Sequence, residues 1–227
     1  MPPEPLRLAL VTTPEALDPS SRWASITAAL AEHCDLSVVV ESGRESAGRS
    51  SAEVLRPRAH EQILFVLEDT PACAFMLPMI RAIGGTVYLP RWELPALAMA
   101  AHPELERMGL RGWFHALREG GPREALAWRR ATARGERPSG LALNRSVVRH
   151  ADSFLVEDAA LAPRLLEERN ERTPISVVEV SPEAGARWAE HLAGFPEPRA
   201  ARRSLILARV READRRRAAQ RNARERR

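Results

Sequence analysis

Short apolar runs alternate with amphipathic stretches along most of the chain. Leu6–Thr12 leaves little room for a solvent-facing side, and burial on both faces is typical of strands in parallel sheets. A loop over Pro14–Ser21 leads to a predicted helix, Arg22–Glu32, with Trp23, Ile26, Thr27 and Leu30 on one face and Ser20 or Ser21 available as its cap. A second strand is expected over Leu36–Glu41. The Ser-, Gly- and Arg-rich stretch 42–59 predicts a surface loop. Gln62–Leu67 is a third buried strand, Pro71 opens a strongly apolar helix over Ala72–Ile83, Gly84-Gly85 ends it, and Thr86–Leu89 is a fourth strand.

Pro90–Gly140 then reads as helical pieces punctuated by Pro103, Gly109, Gly120-Gly121-Pro122 and Gly135. This block carries Trp92, Trp113 and Trp128 and is too long for a simple crossover, so it predicts a helical flap on the sheet. Leu141–Arg149 is expected to be helical, Ser153–Val156 a fifth strand, Ala159–Arg169 a helix, Ile175–Val180 a sixth strand and Pro182–Leu192 a short helix. Strands and helices alternating at about 30 residues per unit indicate an α/β chain with a doubly wound, Rossmann-like parallel sheet. A helical insertion follows its fourth strand. The body is expected to span residues 1–194. Residues 195–227 form a linker and a basic helix, Ala200–Arg221, whose large apolar residues are Leu205, Ile206, Leu207 and Val210.

Composition changes this picture mainly through charge. Hydrophobic residues at 44% and charged residues at 28% suit a globular core. No run approaches the roughly 20 apolar residues that span a bilayer. The opening MPPEPLRLALV lacks the basic start of a signal peptide, which places the protein in the cytoplasm. All 34 basic residues are arginine, which removes Schiff-base and P-loop lysine chemistry. Residues 199–227 hold 12 arginines against three acids, net +9, and the rest of the chain 22 arginines against 27 acids, net −5. The basic character therefore belongs to the tail. Nucleic acid is not an expected partner of the body, whereas the tail suits an anionic surface such as the inner face of a membrane.

Ligands of open parallel sheets bind beyond the carboxyl ends of the strands. Those ends carry Thr12-Thr13, Glu68-Asp69, Arg91 with Glu93, and Glu157-Asp158, and these eight residues are the candidate ligand-binding set. The competing expectation for each is that it caps the helix that follows. The stretch TTPEALDPSS after the first strand has no glycine, which excludes a dinucleotide-binding turn. Cys34 and Cys73 have no metal-ligand spacing and read as buried free thiols. Six histidines, at 33, 60, 102, 115, 150 and 191, show no ligand pattern, and no catalytic triad is visible. No metal or cofactor is expected, and the tryptophans read as core.

Four segments resemble the N-terminal, acceptor-side domain of family 4-type glycosyltransferases of the GT-B fold. They are LVTTPEALDPSSRWASITAALAEHCDLSVVVE, ILFVLEDTPACAFMLPMIRAIGGTVYLPRWEL, LALNRSVVRHADSFLVEDAALAPRLL and ISVVEVSP, together covering about Leu6–Pro182. The departures are specific. The family's histidine after the third strand falls on Cys73 and its Asn-Ser on Asp69-Thr70. Its His-Asp at the fourth strand end falls on Pro90-Arg91, and its His-Ser after the fifth on Glu157-Asp158. Pro19-Ser20 stands where its first loop has glycine. An imidazole can deprotonate an acceptor hydroxyl at neutral pH, and proline and arginine cannot. The resemblance thus implies a half that binds a sugar or glycolipid acceptor and needs a donor-binding partner subunit for transfer. Two alternatives stand beside it: a non-catalytic interaction module whose basic tail binds a partner, an anionic membrane or nucleic acid, and an independent enzyme using Asp69 or Glu157 as general base.

Overall fold

The computed structural model describes residues 5–43, 49–52, 55, 59–136, 141–169 and 173–195. Its centre is a sheet of seven parallel strands in the order β3-β2-β1-β4-β5-β6-β7. In chain order these are β1 Leu6–Val11, β2 Cys34–Val40, β3 Arg49–Ser51, β4 Gln62–Val66, β5 Thr86–Leu89, β6 Ser153–Val156 and β7 Ile175–Val177. The expected doubly wound α/β architecture is therefore present, with residues 90–136 outside the sheet.

Alternation along the strands divides the core in two. Leu8, Leu10, Leu64, Val66, Tyr88 and Leu155 point to one face and meet Trp23, Ile26 and Leu30 of α1 (Arg22–Ala31) and Trp188 and Leu192 of α8 (Gly185–Gly194). Ala9, Val11, Ile63, Phe65, Val87 and Phe154 point to the other. There they meet α2 (Met76–Ile83), α6 (Arg145–His150) and α7 (Leu161–Glu168). Strands buried on both sides must be apolar throughout, which is the pattern their sequences carry.

The insertion consists of α3 (Pro95–Ala101), a 3-10 turn (Pro103–Glu106), α4 (Leu110–Gly120) and α5 (Pro122–Ala133). It has its own small core of Ala98, Leu105, Ala116, Ala125, Trp128, Leu141 and Leu143. The Trp128 indole N–H is satisfied by the Leu105 carbonyl at 2.8 Å.

Several boundaries differ from the sequence expectation. Part of the stretch read as a surface loop, Arg49–Ser51, forms the edge strand β3, paired through Val38↔Arg49 and Val40↔Ser51. Its polar side chains carry no strand pattern, and its partner's backbone makes it a strand. The expected helix at Leu141 starts only at Arg145. The Glu124 carboxylate takes the Ala142 and Leu143 N–H groups at 3.1 and 3.0 Å, and Leu94 N–H donates to the Ala142 carbonyl, so these residues stay out of the helix, with Leu143 at φ +46°. The helix expected over Ala72–Ile83 is a 3-10 turn, Pro71–Phe75, followed by α2, and the expected strand to Val180 ends at Val177. The predicted basic helix and most of the linker before it lie outside the described residues.

Candidate functional site

The chain runs outward from β1 through β2 to β3 and, returning, from β4 through β5 and β6 to β7. The winding direction reverses between β1 and β4, and such a reversal opens a crevice at the carboxyl ends of those two strands. Thr12 and Thr13 follow β1, and Glu68 and Asp69 stand just beyond β4. The first turn of α1 reaches this end of the sheet. Ser21 caps the helix, accepting from Trp23 N–H at 3.2 Å, and this fixes Arg22 and Trp23 at its first turn.

Those two residues organise the rim. The buried Trp23 donates its indole N–H to Glu68 Oε1 at 2.9 Å. Arg22 pairs with Glu157 Oε1 at 3.1 Å and reaches the Tyr88 hydroxyl at 3.5 Å. Below them Trp23, Tyr88 and Trp188 form an aromatic cluster with ring centroids 4.7 to 5.8 Å apart. Burial, reinforced by the Glu157 carboxylate, pushes the Tyr88 phenol far above its ordinary pKa and keeps it protonated. Tyr88 at the end of β5 therefore serves the rim as a hydrogen-bonding group.

The remaining candidates divide by occupation. The Asp69 carboxylate accepts from Leu97 N–H at 3.0 Å and so closes the first turn of α3. Asp158 accepts from Ala160 N–H at 2.8 Å just before α7, and the Thr13 hydroxyl accepts from Ala16 N–H at 3.3 Å. All three do the capping work that such residues do at strand–helix junctions. Arg91 is exposed and Glu93 half-buried, and neither makes a hydrogen bond or ion pair with the other six candidates among the described residues. The Thr12 hydroxyl is buried with no partner among the described residues. The structure thus brings Glu68 and Glu157 together with one helix end, through Arg22 and Trp23, and leaves Arg91 apart. Arg22, Trp23 and Tyr88 were legible only as an amphipathic face and a strand residue, because nothing local marks which end of a helix overhangs a crevice.

No protein-family model, curated protein or solved structure matches this chain. Its site is therefore judged on geometry alone.

Cys73, which takes the position of the family histidine in the resemblance above, is 1% exposed. Burial raises its thiol pKa, so it stays protonated, with the Thr70 hydroxyl 3.6 Å from its sulfur. It offers neither an imidazole's basicity nor a reactive thiolate. Cys34 is likewise buried, free and raised in pKa by burial. His150 has Nδ1 2.8 Å from the Ser146 carbonyl of its own helix. No three of His, Cys, Asp and Glu group as metal ligands among the described residues, and no helix there is long and apolar enough to cross a membrane.

Proposed function

We propose that the chain is the acceptor-side half of a glycosyltransferase of the GT-B kind and holds a hydroxyl-rich acceptor, a sugar or glycolipid, in the crevice between β1 and β4. Its support is the Glu68 carboxylate at the end of β4. Trp23 orients that group through Oε1, and Oε2 has no partner among the described residues, so it can accept from an acceptor hydroxyl. Arg22, about half exposed beside Glu157, supplies guanidinium donors along the same rim. With no imidazole in place, the rim binds and positions. A nucleotide-sugar-binding domain would complete a transferase site, and Arg91, exposed at the end of β5, suits an acceptor that carries an anionic group.

The test is a saturation-transfer NMR screen of sugars and glycolipid headgroups against the full chain, followed by titration of Glu68→Gln. The substitution keeps the shape of the side chain and an oxygen for Trp23 but removes the charge. Expected is at least one ligand whose affinity falls about tenfold in the variant, the ~1.4 kcal/mol scale of one charge-assisted hydrogen bond. A screen without ligands, or an affinity indifferent to Glu68→Gln, removes the crevice as an acceptor site.

A further inference from the structure

A second concavity, with no lining residue in common with the β1–β4 crevice, opens where the α4–α5 turn meets the start of α6. Its volume is about 360 Å³, and its walls include Trp92, Gly121, Arg123, Asn144, Arg145 and Val148. That lies within the roughly 300–1,000 Å³ of small-molecule pockets.

The charges on its walls are unequally satisfied. Glu119 is matched by Arg81 at 2.7 Å and Arg118 at 3.0 Å, and both oxygens of Glu124 accept backbone N–H groups. The third lining carboxylate, Glu168, is exposed, where solvent screens it. Arg145 differs. It makes no hydrogen bond or ion pair among the described residues, and its Nε is buried without a partner. A guanidinium stays charged at any ordinary pH, and burying a donor of a charged group unpaired is costly. The local backbone nevertheless makes room for this side chain. Gly121 has φ +84°, and a Cβ there would stand 3.1 Å from Arg145 Nη1. Arg123, exposed on the same wall, adds a second cation, while Trp92 and Val148 supply apolar surface.

We infer that this cavity binds a small molecule through an oxyanion, a phosphate monoester or a carboxylate, seated on the Arg145 fork with Arg123 as the second cation. The planar guanidinium matches two oxygens of either group, and pairing would satisfy the buried Nε–H. The body of the ligand lies along Trp92 and Val148.

The arginine-rich tail attracts anions diffusely, so the readout must be local. In the full chain, the Arg145 Nε–H and Trp92 indole N–H resonances are followed by NMR during titration with glycerol 3-phosphate, inorganic phosphate or citrate at physiological ionic strength. Saturable shifts at both reporters are expected for phosphate or for carboxylate, and the responding probe identifies the class. Arg145→Gln should weaken the binding seen at Trp92 about tenfold, and Arg145→Lys, which keeps the charge and loses the fork, by less. Both variants lose no hydrogen bond and should fold. The responding anion should also raise the melting temperature of the parent and not that of Arg145→Gln. Glu68→Gln should leave the titration unchanged, so failure here and failure of the acceptor site are separable. Shifts that never saturate, or a Trp92 response unaltered in Arg145→Gln, overturn the inference.

Discussion

Thr12 shows how one atom can carry a cost without an evident return inside the fold. Its hydroxyl is buried with no partner among the described residues, and an unsatisfied buried polar group costs about 1–3 kcal/mol. Thr12→Val keeps the shape and removes the hydroxyl. Urea unfolding should show the variant equal to the parent or up to about 1 kcal/mol more stable. A loss of comparable size would mean that an ordered water serves the hydroxyl. Asp69 is the opposite case: its carboxylate is committed to α3. Asp69→Ala should therefore cost about 1 kcal/mol of stability, the usual worth of a cap, and leave acceptor binding unchanged at equal folded fraction.

Among the elements, α8 is placed by contact more than by propensity. A Cβ on Gly185 would stand 2.6 Å from Ala29 Cβ and 2.8 Å from the Ala29 carbonyl carbon, so glycine alone lets α8 lie this close to α1. Alanine favours a helix over glycine by up to about 1 kcal/mol, yet overpacking costs about 1–3 kcal/mol. The steric term is expected to win. Gly185→Ala should lower the unfolding midpoint and weaken the near-ultraviolet signal of Trp188, which the α1–α8 contact buries. A midpoint raised by the substitution would show that α8 can move away from α1 freely.

Across the whole molecule, one buried ionic cluster ties the helical insertion to the sheet. Glu119 on α4 is 1% exposed and meets Arg81 of α2, Arg118, His102 and the backbone N–H of Ser146 on α6. Burial alone would raise its pKa. Hydrogen bonds from His102 and Ser146 and the charges of Arg81 and Arg118 outweigh that and hold it at about 2, against an ordinary 4.5. A carboxyl depressed in the folded state stabilises fully above its unfolded pKa. The contribution, about 3 kcal/mol, is lost as pH falls from about 4.5 towards 2. Beside it, His115 stacks on His102 at 4.2 Å, and burial, with the nearby His102 and Arg118, lowers its pKa. The unfolded chain therefore takes up its proton first, and stability already declines as pH drops below about 6.5. Hydrogen exchange should show α4 and α5 opening before β1 and β4 as the solution is acidified. Glu119→Ala, which takes the carboxylate from the half-buried Arg81 and leaves it Ser146 alone of its strong acceptors, should cost about 3 kcal/mol and produce the same early opening at neutral pH. Uniform exchange across insertion and sheet would show that the cluster does not tie the two together.

The sequence by itself determined the sheet interior. Residues 8–11, 63–66, 87–89 and 154–156 are apolar on both faces, and only a strand between two helical layers satisfies such a run. The order of the strands, and with it the reversal between β1 and β4, came only with the structure. What only the tertiary structure decided is which polar groups meet. Arg49–Ser51 became a strand because the edge of β2 offered partners. Leu141–Asn144 stayed outside the helix because Glu124 reached across from α5. Glu68 and Glu157 acquired distinct roles because α1 presents Trp23 to one and Arg22 to the other, while Asp69, Asp158 and Thr13 were taken up as caps. A hydrophobic pattern repeats and can be read locally. A hydrogen bond between residues 45 or 135 positions apart exists only once the chain has closed.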